Sequence, residues 1–219
     1  MRDLPIGHPS DRTGRQPSAR RRARRITAWL GLMVLVGATA YVSTLPLGGA
    51  PTASRAPDVS FYAIGSAVEG VGIGQSAPDF MGDDNDQKPL LVDLDGNPIR
   101  LDDFAGKPLW IVFWTTWCSP CQQEASDIVA SYHAHRGDDL AVLAIDIQEP
   151  AAAVREYALS HGLDYPIGLD ATGAVKDLYG AWGLPSHFFV DGNGIIVDRY
   201  FGQMTRELME DHLRSIIGP

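Results

Sequence analysis

Hydrophobic positions in the C-terminal half of the chain fall into two alternating rhythms, unbroken runs of strand length and apolar spacings of three and four. Leu109-Trp110-Ile111-Val112-Phe113-Trp114 is a continuous apolar run, the mark of a strand buried on both faces. From Cys118 to about Arg136, Ala125, Ile128, Val129 and Tyr132 recur at helical spacing, and Gly137 is expected to end that helix. A second buried strand is predicted over Leu140–Ile147 and a helix over Ala151–His161, closed by Gly162. Tyr165–Leu169 then leads through a short helix around Gly173–Tyr179 to Gly183-Leu184-Pro185. Two strands, Phe188–Asp191 and Ile195–Tyr200, pair across Gly192-Asn193-Gly194, and an amphipathic helix from about Arg206 to Ile217 closes the body. Upstream, Leu90–Asp95 and Pro98–Leu101 flank Asp95-Gly96-Asn97, which predicts a β-hairpin ahead of the first buried strand. This order of elements predicts an α/β fold with a central sheet covered on both faces.

The N-terminal part follows another pattern. Residues 1–25 hold eight Arg against Asp3 and Asp11, a local charge of +6. The cluster Arg20, Arg21, Arg22, Arg24 and Arg25 runs directly into Ile26–Leu47, which carries no charged side chain. A bilayer-crossing helix needs about 20 such residues, and flanking arginines hold their end in the cytoplasm. The layout therefore predicts a basic cytoplasmic tail over 1–25, a transmembrane anchor over 26–47 and everything later on the extracytoplasmic side. A cleaved signal peptide with Ala38-Thr39-Ala40 near the cut is the alternative, and Arg24-Arg25 suits a twin-arginine signal. The apolar run exceeds the roughly 7–15 residues of a signal core, which favours the anchor. Residues 48–70 turn to Gly, Ala, Pro and Ser with no hydrophobic period and read as a flexible linker, leaving 71–219 as the folded body.

Composition narrows the functional classes. The chain of 219 residues, 45% hydrophobic and 21% charged, supports one ordinary core. Its net charge of -9 leaves -15 on the part after residue 25. A body so acidic is repelled by phosphate backbones, so no nucleic-acid partner is expected. Two cysteines, Cys118 and Cys121, are the whole complement. A disulfide-stapled scaffold or a four-thiolate zinc site needs more.

Trp117-Cys118-Ser119-Pro120-Cys121 follows a buried strand and opens a helix. Unpaired N–H groups and the helix dipole favour a thiolate at Cys118. Cys121, one turn in, is placed to attack a mixed disulfide on Cys118, and Pro120 suits a first turn. A purely stabilising disulfide is the plainer alternative, but so short a loop removes little chain entropy. The pair reads as a redox-active dithiol.

At this point the body resembles the TlpA/ResA/DsbE branch of the thioredoxin-like superfamily. The resemblance rests on Ala77-Pro78-Asp79-Phe80, Asp95-Gly96, Phe104-Ala105-Gly106-Lys107, Phe113 through Cys121, Glu124, and Gly183-Leu184-Pro185 leading to Phe188 and Asp191. It implies a thioredoxin-like fold with a central mixed sheet, an N-terminal β-hairpin extension and a central αβ insertion. It also implies a membrane-anchored reductant of extracytoplasmic, periplasmic-side protein disulfides, serving cytochrome c maturation or copper-site assembly. In that pattern Pro185 is a cis-proline facing the cysteines, and the backbone at Leu184 pairs with an extended substrate. Glu124 exchanges a proton with the thiols; a plain first-turn role with the helix dipole is its alternative. Val112 stands where thioredoxin carries a buried Asp, which leaves Glu124 as the proton carrier. Trp117 offers an apolar docking surface, whereas Trp110 and Trp114 belong to the core. His187 departs from the family's usual Thr and can change the thiolate fraction with pH, or simply pack.

Two other readings use the same residues. A copper-carrying metallochaperone would use both thiolates, but related copper-assembly proteins space their cysteines one residue wider and add a histidine. A peroxidase shares Ala77-Pro78-Asp79-Phe80, but Thr115-Thr116-Trp117 does not reproduce the peroxidatic pattern. The reductase reading needs no cofactor and no metal. Its partners are client protein disulfides and an upstream membrane thiol–disulfide donor. The direction of electron flow does not follow from Ser119-Pro120.

Overall fold

The computed structural model describes residues 60–67, 69–82 and 88–217. The expected basic tail, the membrane span and the first part of the linker lie outside them. Among the described residues no helix is long and apolar enough to cross a membrane. In chain order the strands and helices are β1 (Tyr62–Ala63), β2 (Val92–Asp93), β3 (Leu109–Trp114), α1 (Ser119–Ala134), β4 (Ala141–Ile147), α2 (Ala151–His161), β5 (Ile167–Asp170), α3 (Ala174–Tyr179), β6 (Gly183–Leu184), β7 (Ser186–Val190), β8 (Ile196–Phe201) and α4 (Arg206–Ile217).

All six residues of β3 are buried, as an unbroken apolar run requires. It holds the centre of a mixed sheet ordered β2-β5-β4-β3-β7-β8. On one side it pairs in parallel with β4, from Leu109↔Ala141 to Trp114↔Asp146. On the other it pairs antiparallel with β7, from Leu109↔Val190 to Phe113↔Ser186. The crossovers β3-α1-β4 and β4-α2-β5 step the same way, and right-handed connections then put α1 and α2 on one face. Trp114 shows this: it meets Tyr157 of α2 with ring centroids 5.2 Å apart and lines a small cavity with Cys121 and Ile128 of α1. Helix α4 joins that face, where the Ser131 hydroxyl donates to Glu210 (2.7 Å). Its neighbour Phe113 points the opposite way, onto Tyr179 of α3 (5.5 Å), which also stacks on Phe80 (6.1 Å). Helices thus cover both faces, and α2–β5 is the inserted αβ unit.

Three details depart from the sequence expectations. The hairpin is reduced to the two residues of β2 and one bridge, Val92↔Pro98, around a turn whose Asp93 carboxylate accepts from Asp95 and Asn97 N–H (both 2.8 Å). Across it the Asp93 N–H donates to the Asn97 carbonyl (2.8 Å) and the Ile99 N–H to the Leu91 carbonyl (3.1 Å), and beyond Ile99 the return leg coils into a 3-10 turn over Leu101–Phe104. The other edge of β2 pairs with β5. Gly137 does not close α1; the chain continues through a 3-10 turn over Arg136–Asp138 and reverses at Asp139, φ 56°. By contrast Gly162 caps α2 in the left-handed region, φ 66°, as its position predicts. Finally, residues 60–67 fall in the expected linker, yet Tyr62–Ala63 forms a two-stranded pair with β6.

Candidate active site

The turn from β3 into α1 is held by three hydrogen bonds at Thr116. Glu149, just beyond β4, accepts the Thr116 N–H (2.5 Å) and hydroxyl (2.6 Å) on its two oxygens. The Thr116 carbonyl accepts from the Gln122 amide (2.6 Å). Fixed in this way, Thr116 and Trp117 deliver Cys118 to the N-cap of α1, where its Sγ accepts the Cys121 N–H at 3.3 Å. The two cysteines form a disulfide with an S–S distance of 2.09 Å and Cα atoms 5.3 Å apart. Cys118 has no exposed surface and Cys121 is 4% exposed. Once reduced, Cys118 faces the positive end of a 16-residue helix, which stabilises its thiolate.

Leu184–Pro185 is a cis peptide bond. Because β7 runs antiparallel to β3 with Phe113 opposite Ser186, Pro185 lies at the same end of the sheet as the cysteines. Leu184 is fully buried, and Trp117 is half-exposed with its ring 5.4 Å from Tyr62.

Glu124 shares a cavity with Cys121, Val112, Trp114, Ile128 and Tyr165. Its Oε2 accepts the Met204 N–H (2.9 Å). Its Oε1 lies 3.3 Å from His187 Nε2, without a well-aligned hydrogen bond on either atom. On the far side of the imidazole, Trp110 Nε1 donates to His187 Nδ1 (3.3 Å), which leaves the proton of the neutral ring on Nε2. Burial pushes the Glu124 carboxyl well above its ordinary range, against the Met204 hydrogen bond. Burial likewise pushes His187 down to about 3. His187 is therefore neutral at pH 7, and the contact is not an ion pair.

The residues singled out in the sequence thus gather at one end of the sheet, Cys118, Cys121, Glu124 and Pro185 inside it and Trp117 on its rim. Others join them that the sequence did not single out. Asp146 is buried at the end of β4, with its carboxyl pushed up to about 9 by burial and then by its hydrogen bond and repulsion with Glu149. Its signal is the register Trp114↔Asp146, which needs the sheet order to be known. Among the described residues no three His, Cys, Asp or Glu side chains cluster as metal ligands.

Residues 73–199 match the family model described as the AhpC/TSA family. The chain belongs to the AhpC/TSA family. Within the AhpC/TSA family it is similar to the thiol-disulfide oxidoreductase ResA of Geobacillus kaustophilus (strain HTA426), 36% identical over 146 residues that cover 67% of this chain and 79% of ResA. The fold matches a thiol:disulfide interchange protein of the thioredoxin family from Chlorobium tepidum TLS, with a TM-score of 0.56 and 23% identity over 68% of this chain and 99% of that one. It also matches a secreted Mycobacterium tuberculosis disulfide oxidoreductase homologous to E. coli DsbE, with a TM-score of 0.52 and 21% identity over 57% and 93% of the two chains. This AhpC/TSA member is a thiol–disulfide oxidoreductase of ResA type.

Proposed function

We propose that the protein reduces disulfides of extracytoplasmic clients through Cys118 and Cys121 while anchored to the cell membrane by residues 26–47. The observation that carries this reading is Cys118 Sγ at the helix N-cap, receiving the Cys121 N–H at 3.3 Å at the sheet end that also carries cis-Pro185. The Cys118 thiolate attacks a client sulfur, forming a mixed disulfide and releasing the other client sulfur as a thiolate. Cys121, as thiolate, then attacks Cys118 Sγ, which frees the second client thiol and leaves the intramolecular disulfide. Two electrons pass from the dithiol to the client, and an upstream membrane thiol–disulfide donor returns them.

Glu124 takes the Cys121 proton in the second step. A carboxyl raised by burial is closer in proton affinity to a thiol than an exposed one, so the transfer costs less. Leu184 and Pro185 present backbone for strand-like pairing with the client, and Trp117 supplies an apolar contact beside the reacting sulfur. The clients belong to cytochrome c maturation or copper-site assembly.

Replacing Cys121 by Ser removes the resolving sulfur, so mixed disulfides between Cys118 and extracytoplasmic proteins should accumulate and be identified after alkylation and mass spectrometry. Absence of any trapped partner, together with stoichiometric copper on the purified dithiol, would favour the copper-carrying reading. Equilibration with glutathione buffers gives the reduction potential, and a value more oxidising than that of the clients' disulfides would reverse the direction of electron flow.

A further inference from the structure

The enclosure of the sulfurs poses a physical problem. Cys118 has no exposed surface, yet exchange needs an incoming sulfur to approach it in line. Some part of the site must therefore move. The segment that lies beside it, against Trp117, is β1. Tyr62 pairs with Leu184 and Ala63 with Gly183 in antiparallel register, and the Ile64 N–H donates to the Trp182 carbonyl (2.8 Å). The Ser60 carbonyl accepts from the Gln203 N–H (2.9 Å). Residues 60–64 thus run extended along the backbone that immediately precedes Pro185.

Side chains fix the fit. Neighbouring residues of a strand point to opposite sides; here Phe61 meets Trp182 edge-on (5.1 Å) and Tyr62 meets Trp117, the residue before Cys118 (5.4 Å). Gly183 makes room for this, because a Cβ there would lie 2.8 Å from the Phe61 ring. The attachment is nevertheless slight. The pair β1–β6 stands apart from the six-stranded sheet, and two-stranded ribbons are marginal on their own. Phe61 and Tyr62 remain 40% and 52% exposed. Elements with few backbone bonds and half-covered side chains open first.

We infer that residues 60–64 are an internal stand-in for the client. The edge Trp182–Leu184 takes up an extended polypeptide with adjacent aromatic side chains, and this chain's own segment occupies that edge, keeping Cys118 enclosed until a client displaces it. The inference rests on the redox reading of Cys118 proposed above and adds to it a ligand chemistry and a closed state.

The test uses the full chain, reduced, with two disulfide probes: the small Ellman disulfide, and an extended peptide with adjacent Phe and Tyr beside a cysteine blocked by nitrothiobenzoate. Ile64→Pro removes the N–H that bonds to Trp182, and Tyr62→Ala removes the contact with Trp117. Loss of one such hydrogen bond should raise the second-order rate with the peptide by about fivefold to tenfold, and the rate with the small probe should also rise as Cys118 becomes accessible. Unchanged or lower peptide rates in both variants would overturn the inference, a lower rate marking β1 as part of the docking platform. Hydrogen exchange gives a second measure without altering β1. In Cys121→Ser carrying the trapped peptide, the Ile64 amide should lose protection; retained protection overturns the displacement. If the unaltered protein reduces neither probe, the redox reading fails first and this one with it.

Discussion

Glu124 is 1% exposed, so a carboxylate there has no water to share its charge, and the carboxyl titrates far above its usual range. If it is the base for Cys121, the rate of the resolving step rises with pH as the carboxylate forms. Glu124→Gln should slow that step by roughly a hundredfold and abolish this limb of the pH–rate profile, measured by release of a trapped chromogenic thiol. His187 gives an opposite signature in stability. Its folded pKa, about 3, lies below the ordinary imidazole value, so its contribution is complete above that ordinary value and is lost as pH falls toward 3. In His187→Thr the melting temperature should fall less between pH 7 and 4 than in the unaltered protein, whatever the absolute loss from the smaller side chain. The cysteine pair and Glu124 were legible because their spacing places them on one helix. The burial of His187 was not, because it depends on Trp110 and Glu124, which reach it from β3 and α1 and are far away in the chain.

At the scale of elements, β4 matters to the site beyond its pairing with β3. Asp146 lies near its end and Glu149 just beyond it, and Glu149 clamps Thr116 ahead of Cys118. The Asp146 carboxyl is held up at about 9, above its unfolded value. The folded state therefore binds the extra proton, and the stability this gives is lost as pH rises from the ordinary carboxyl range through about 9. Asp146→Asn carries no proton to lose, so its melting temperature should decline less than that of the unaltered protein between pH 6 and 9 in calorimetry. The buried strands and long helices could be read from the sequence because apolar runs and helical spacing are local signals. The short extent of the hairpin could not, because its return leg coils into a 3-10 turn soon after Ile99 and the other edge of β2 pairs with β5, more than seventy residues on. Nor could β1, whose two residues lie in a stretch without hydrophobic period and are ordered by Leu184 and Trp117.

For the whole molecule, the proposed anchor makes a separate prediction. Full-length protein should sediment with membranes and require detergent for release, with Edman or mass-spectrometric analysis finding the N-terminus upstream of Ala40. A mature N-terminus downstream of that point would convert the anchor into a cleaved leader. The mixed sheet and the position of the dithiol at its end follow from the alternation of apolar runs and helices, whereas closure of that end depends on contacts between segments more than a hundred residues apart. The enclosed sulfur of Cys118 also has a consequence for electron traffic. Where oxidising and reducing routes share one compartment, an open dithiol would short-circuit them by exchanging with any disulfide that diffuses past. A sulfur reached only through strand pairing is insulated from that pool, and the two-electron current stays within a single circuit.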